Sequence, residues 1–211
     1  MRRVRIDPAG LPFIGGALAL GLVAGAAISP LLVWPGVAFA LVFLFFFRDP
    51  DRRIASEADA VLSPADGRVL VAGDAVAGAA PPGQWQQISI FLSPLNVHVN
   101  RIPASGRVTS VSYRPGRFLP AYHRDAAATN ERSEIWIDHA GQPIVARQIV
   151  GMLARRVVCR VQSGAVVQAG DRYGVMKFGS RMDIFVPPTA EIRVTVGEAV
   201  RAGETVIAVL H

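Results

Sequence analysis

A serine hydroxyl placed directly after a glycine carbonyl can attack it, and Gly179-Ser180 is a pair set where such an attack has consequences. Its flanks read as strands, not as a linker. Val175, Met176 and Phe178 lead in, and Met182, Ile184 and Val186 alternate on the way out to Pro187. Gly-Ser is commonplace in a chain with 20 glycines. Held between strands it becomes a candidate strained bond, because glycine takes backbone conformations that other residues resist and leaves its carbonyl open. His98 is a second candidate, since imidazole moves protons near neutral pH. In Val97-His98-Val99-Asn100-Arg101, alternation places His98 and Asn100 on one strand face and the valines on the other. Asp66 sits in an Asp-Gly pair, a common turn, and reads as structural from its neighbours alone. Lys177, among core-like neighbours, also reads as structural. No His, Cys, Asp and Glu set has metal-ligand spacing, so no metal is expected. A P-loop and a dinucleotide fingerprint are both missing, and no nucleotide cofactor is implied.

The elements that must position these groups fall into two parts. From Gly10 to Phe47 the chain has no charged residue, and Ser29-Pro30 and Trp34-Pro35 divide this span into apolar pieces of roughly 11–28 and 31–47. Each is slightly short of the ~20 residues that cross a bilayer. Arg2, Arg3 and Arg5 precede the pair, and Arg48, Arg52 and Arg53 follow it, so both ends are expected on the cytoplasmic side. Residues 1–49 are therefore expected to be a hydrophobic helical hairpin in the cell membrane, with a shallow re-entrant anchor as the rival. The net charge of +6 suits an anionic lipid surface better than nucleic acid, given that hairpin. Only one basic residue, Lys177, is a lysine. The single cysteine, Cys159, excludes an internal disulfide and is expected to be a buried strand residue in a cytosol-facing domain.

Residues 50–211 break into short β-like runs: 69–71, 88–92, 97–99, 108–113, 135–137, 144–149, 157–161, 183–186, 192–196 and 205–210. Val150–Ala154 reads either as a turn or as a continuation of its strand. Residues 114–132 read as a long loop, of a length that is often functional. Two echoes stand out. Pro64-Ala-Asp-Gly-Arg-Val69 recurs as Pro103-Ala-Ser-Gly-Arg-Val108, and Gly164-Ala-Val-Val-Gln-Ala-Gly-Asp171 recurs as Gly197-Glu-Ala-Val-Arg-Ala-Gly-Glu204. The second pattern resembles the turns of lipoyl- and biotinyl-carrier domains, so a mainly β barrel-sandwich fold is expected. Neither copy of that pattern carries the lysine that a true carrier needs.

Four stretches in order carry a further resemblance: Phe46-Phe-Arg-Asp-Pro-Asp-Arg52, Ser63-Pro-Ala-Asp-Gly-Arg-Val69, Phe91-Leu-Ser-Pro-Leu-Asn-Val-His-Val-Asn-Arg-Ile-Pro103 and Phe178-Gly-Ser180. Together they make the chain resemble the short, membrane-associated phosphatidylserine decarboxylases. The resemblance implies that Ser180 attacks the Gly179 carbonyl, that the amide becomes an ester, and that elimination and hydrolysis leave a pyruvoyl group at a new N-terminus. The mature protein would then hold a large chain, 1–179, and a small chain, 180–211. Its pyruvoyl ketone would form a Schiff base with the substrate amine and act as the electron sink for loss of carbon dioxide. The same resemblance makes Asp66 an aid to proton removal in self-cleavage, and His98 an active-site group for decarboxylation or reprotonation.

One departure matters. Longer bacterial members carry a second histidine where this chain has Arg101, and arginine stays protonated. Three alternatives remain for the base of self-cleavage: His98 takes both tasks, Asp66 acts more directly, or His123 or His139 enters. Arg101 suits an oxyanion or a substrate carboxylate or phosphate. Arg101, Asn100, Asn130 and Glu131 are the candidate substrate-binding residues, the last two from Asn130-Glu131-Arg132 at the end of the long loop. Two other functions compete: decarboxylation of a different serine-headgroup lipid, and a membrane-tethered, non-enzymatic carrier-like β domain. Self-association stays open.

Overall fold

Two unbroken apolar runs separated by prolines have one local solution, a pair of helices, and the computed structural model shows it. The structure describes residues 4–123, 125–152, 157–177 and 179–211. They form two compact units, Met1–Asp51 and Arg52–His211. In the first, Asp7 accepts the Ala9 amide proton at 2.9 Å and opens a short turn ahead of α1 (Leu11–Ala27). A second turn, Pro30–Leu32, opens α2 (Val33–Phe46). The two helices meet through Gly21 and Gly36: a Cβ on Gly36 would lie 2.7 Å from the Gly21 Cα. Their remaining surface is apolar all round, with Leu20, Leu22, Val23, Leu31, Trp34 and Phe39 exposed. The apolar helix that begins at Pro8 has the 20 residues needed to cross a bilayer, whereas Pro30–Phe46 is shorter. β1 (Val4–Ile6) pairs antiparallel with β2 (Arg48–Pro50) and ties the ends of the hairpin together.

The second unit is almost entirely β. In chain order its elements are β3 (Ala60–Leu62), β4 (Gly67–Asp74), β5 (Gln86–Leu92), β6 (Val99–Arg101), β7 (Gly106–Arg114), α3 (Ala126–Thr129), β8 (Arg132–His139), β9 (Gln142–Val150) and β10 (Val157–Cys159). They continue as β11 (Val166–Val167), β12 (Arg172–Met176), β13 (Ser180–Val186), β14 (Glu191–Ile192), β15 (Ala199–Val200) and β16 (Val206–Val209). An eight-stranded antiparallel sheet runs β11-β7-β8-β9-β13-β5-β4-β15, accompanied by two three-stranded sheets, β10-β12-β6 and β14-β16-β3.

These orders are the same half written twice. β7 and β8 repeat β4 and β5, including the bulge: Val108↔Ile137 steps to Ser110↔Trp136, as Val69↔Ile90 steps to Val71↔Ser89. β11 caps β7 at Gly106 and Arg107, as β15 caps β4 at Gly67 and Arg68. The two sequence echoes are these equivalent turns and caps. The second half, β6 to β12, is inserted between β5 and β13 of the first, and the halves meet along β9 and β13. In the second half β8 and β9 close as a hairpin with His139 opposite Gln142 after Gly141. In the first half the matching position is Leu92 opposite Ser180 after Gly179.

The core lies against one face of the large sheet, where Leu92, Ile90, Met182, Ile184, Ile135 and Tyr173 are buried. The opposite face of the central strands carries a polar network. Arg181 donates to Asp183 at 2.6 Å and to the Ser89 hydroxyl at 2.9 Å, while Arg147 donates to Glu134 and to the Ala79 carbonyl.

Several expectations shift. Cys159 is half-buried, because β10 is an edge strand that pairs only with β12. The run 97–99 becomes a strand at 99–101, since Asn96 turns back to accept the Ser93 amide proton. Of the run 192–196, Ile192 lies in β14 and the Arg193 amide still donates to the Ile207 carbonyl at 3.0 Å, after which Thr195 and Glu198 form a turn. The loop 114–132 holds a helical turn, α3, and β8 already begins at Arg132. Of the Val150–Ala154 stretch, Val150 ends β9, while Leu153 and Ala154 lie outside the described residues. Phe178, Arg2 and Arg3 lie outside them too.

Candidate active site

Gly179 sits at the turn position just ahead of β13 with φ +73°, a left-handed conformation that costs other residues energy. Ser180 opens β13, fully buried between Leu92 of β5 and Val150 of β9. Its hydroxyl oxygen has no hydrogen-bond partner among the described residues. Leaving a buried hydroxyl unpaired costs about 1–3 kcal/mol, so this group is held for something other than stability.

Three neighbours frame the Gly179–Ser180 bond. The Gly179 amide lies 3.4 Å from His98 Nε2, and His98 Nδ1 lies 3.0 Å from the Asn96 carbonyl oxygen. A carbonyl only accepts and an amide only donates. These partners therefore select the neutral tautomer with the proton on Nδ1 and the lone pair of Nε2 aimed at the Gly179 amide. The Gly179 carbonyl oxygen rests against Gly151, where a Cβ would approach it to 2.1 Å. Beside them is a pocket of ≈ 140 Å³ lined by Phe91, Pro94, Pro120, Ala121, Tyr122, Met152 and Gly179. Asn130 holds the wall formed by residues 119–122: its side chain pairs with both the amide and the carbonyl of Leu119, and donates to the Val150 carbonyl at 2.9 Å, directly beside Ser180.

The remaining candidates divide. Asn100 reaches the large sheet, where Gln148 Nε2 donates to its Oδ1 at 2.8 Å, leaving Asn100 Nδ2 and Gln148 Oε1 without partners among the described residues. Gln148 sits opposite Met182 on the face of the sheet that also carries Ser180. Arg101 is buried and donates to the Gly170 carbonyl at 2.9 Å. The Glu131 backbone bridges the loop and the sheet, accepting from the Val150 amide at 3.1 Å and donating to the Arg117 carbonyl. Asp66 makes turn-holding contacts: Oδ1 accepts from the Ala202 amide and Oδ2 from Arg52, each at 2.8 Å. Ser105, its counterpart in the second half, caps Ala169 in the same way. No described contact brings Asp66 to the Gly179–Ser180 bond. His139 is held between the Ser105 carbonyl and Asp59, and His123 stands in an exposed loop beside Asp125. Lys177 is half-buried just after β12.

Gly151 and Gln148 escaped the sequence reading. Gly151 follows a strand as many turn glycines do, and its close approach to Gly179 exists only in the folded sheet. Burial perturbs two other groups. The Tyr173 phenol is pushed well above its ordinary pKa by burial, with the Cys159 thiol adding to the shift. The Arg132 guanidinium is lowered by burial and then by the charges of Arg147 and Arg114.

The phosphatidylserine decarboxylase family model matches residues 39–208. A phosphatidylserine decarboxylase proenzyme from Chlorobium phaeobacteroides is 45% identical over 190 residues, covering 89% of this chain and 87% of that protein. A protein of the same name from Granulibacter bethesdensis is 43% identical over 210 residues (95% and 84%), and one from Ralstonia pickettii is 42% identical over 202 residues (95% and 94%). A buried serine behind a left-handed glycine, faced by a histidine, is thus found in a chain whose likeness to these proenzymes runs nearly end to end, and the chain belongs to the phosphatidylserine decarboxylase family.

Proposed function

We propose that this chain cleaves itself between Gly179 and Ser180 and then decarboxylates phosphatidylserine to phosphatidylethanolamine and carbon dioxide. The observation that carries the reading is the Ser180 hydroxyl, buried without a partner among the described residues directly behind the left-handed Gly179. Attack forms the ester between Ser180 Oγ and the Gly179 carbonyl carbon as the amide bond breaks. The surroundings fit a pyruvoyl group made from Ser180: the residue is fully buried, the flanking strands hold its backbone, and Gly151 leaves room at the carbonyl. Such a group supplies a ketone that binds the substrate amine and draws electrons from the breaking bond.

The other tasks fall to this chain's own side chains. His98 accepts or returns a proton at Nε2, and Asn96 fixes the tautomer. Asn100 offers the buried Nδ2 donor to the carboxylate or phosphate of the head group, held in place through Gln148. Arg101 and Glu131 complete the polar surroundings. Asn130 positions the pocket wall, and Asp66 positions the turn that leads into β4. In this reading the interlocked halves form a barrel-sandwich akin to lipoyl- and biotinyl-carrier domains. The apolar helices anchor the chain in the cell membrane, with the catalytic unit on the cytoplasmic side.

The experiment is intact mass of the purified protein beside Ser180→Ala, followed by carbon dioxide release from phosphatidylserine vesicles. The expected result is two fragments with a pyruvoyl-blocked small chain, and activity, both absent from the variant. A folded, active protein that stays a single chain would overturn the reading.

A further inference from the structure

The pocket beside Gly179 is too small for a lipid. Its ≈ 140 Å³ falls well below the ~300–1,000 Å³ of pockets that enclose a drug-sized molecule. A head group enters, and two acyl chains must remain outside. What surrounds the mouth is therefore what meets the rest of the lipid.

Three separate loops supply that rim, and each presents a large apolar side chain to solvent. Leu95, next to the pocket-lining Pro94, is 73% exposed; Tyr122 is 68% exposed and Met152 61% exposed. Tyr122 also stacks edge-on against Phe91 inside the pocket, with centroids 6.0 Å apart, so rim and pocket are one continuous surface. Arg114 and Arg117 are exposed on the segment that leads into the 119–122 wall. Exposed apolar tips next to arginines match the interface of an anionic bilayer, where apolar tips enter the acyl boundary and cations meet lipid phosphates. Single exposed apolar residues are ordinary, but here Tyr122 and Met152 line the same pocket and Leu95 adjoins its Pro94, and apolar side chains gathered round one mouth mark an interaction surface.

We infer that this rim, Leu95, Tyr122 and Met152, is a membrane-docking surface of the catalytic unit. It seats the pocket mouth on the bilayer so that the serine head group reaches Ser180 while the acyl chains never leave the lipid. This rests on the decarboxylase reading for its substrate, yet its residues belong to the second unit and not to the apolar helices.

The test places a nitroxide on the full-length protein carrying Cys159→Ser and Leu95→Cys, reconstituted into vesicles of phosphatidylcholine and phosphatidylserine. A second label, at Val196→Cys, marks a position that is also exposed, at 65%. Docking predicts that the label at 95 becomes more accessible to oxygen than to a water-soluble nickel chelate on vesicles, while the label at 196 keeps the aqueous ratio. Leu95→Asp should also slow turnover of vesicle phosphatidylserine by about tenfold or more relative to a soluble short-chain analogue, the worth of one buried leucine. A label at 95 as water-accessible as that at 196, on vesicles whose phosphatidylserine is being decarboxylated, would overturn the docking surface and leave the function standing. Absence of decarboxylation from both substrates would instead sink the function.

Discussion

Replacing Gly151 by alanine adds one carbon atom at the most sensitive point of the precursor. The new Cβ would lie 2.1 Å from the Gly179 carbonyl oxygen, where real Cβ atoms essentially never come closer than 3.0 Å. The two must separate by about 1 Å, and the moving atom belongs to the carbonyl that Ser180 attacks in the proposed self-cleavage. A displacement of that size in a reacting group costs about 10²-fold in rate, or about 2.7 kcal/mol of barrier. Gly151→Ala is therefore expected to fold and to self-cleave about a hundredfold more slowly, followed as intact mass against time. The near-ultraviolet circular dichroism of the Trp85–Trp136 pair, 5.7 Å apart, reports folding of the same unit. Gly141→Ala is the control. It forces alanine to φ +87° at the equivalent turn, with nothing within 4 Å of the new carbon, and so costs stability without touching the scissile bond. Wild-type cleavage rates in folded Gly151→Ala would refute the reasoning.

Three further outcomes follow from the contacts. Asp66→Ser, which copies Ser105, keeps a cap for Ala202 and is expected to self-cleave to completion in the mass assay; a folded but uncleaved Asp66→Ser would assign the carboxylate to the chemistry. Asp183→Ala strips the buried Arg181 of its ion pair and should lower unfolding free energy by about 3–5 kcal/mol, read from urea melts of the Ser180→Ala precursor. Tyr173 has its folded pKa raised, so its contribution to stability is whole below the ordinary phenol pKa of about 10 and is lost as pH climbs towards the folded value. Stability should thus fall with rising pH above about 10, and Tyr173→Phe should flatten that slope; an unchanged slope would show that Tyr173 does not set it.

What could be read in the chain was what local pattern dictates. The apolar helices, the strands around Ile88, Val108 and Ile144, and the strand after Ser180 all follow from periodicity. The echoes of Pro64–Val69 and Pro103–Val108 were visible as a repeat, but not that one half is inserted into the other, because insertion is a matter of pairing and not of composition. Only the end of β12, Val175 and Met176, was legible as the strand flank of Gly179, because Arg172 and Gly174 interrupt its apolar run, and β15 was missed because two residues carry no period. His98 and Gly179 were each legible; their 3.4 Å contact was not, being a meeting of a small sheet with the end of a large one. Gly151 and Gln148 were illegible for the same reason.

The topology also suits the proposed cleavage, because a bond can be sacrificed at this point. Gly179-Ser180 occupies the hairpin-turn position that Gly141-Gln142 fills in the other half, since Leu92↔Ser180 matches His139↔Gln142 in register. A turn between paired strands is the one place where scission removes no ladder hydrogen bond. After cleavage β13 still pairs with both β5 and β9, β15 with β4, and β16 with β3, so the small chain stays threaded through the large one. Fold alone does not make such a turn reactive, for Gly141 shares the left-handed backbone, and an added Cβ would meet nothing within 4 Å there and only Pro94, at 4.0 Å, at Gly179. The difference is the inserted half: it carries His98 to the amide, brings Gly151 under the carbonyl and helps bury the serine hydroxyl, which has no partner among the described residues. In the proposed self-cleavage, reactivity at Gly179 is thus a property of the interlock, with one half supplying the bond and the other the surroundings that would make it break.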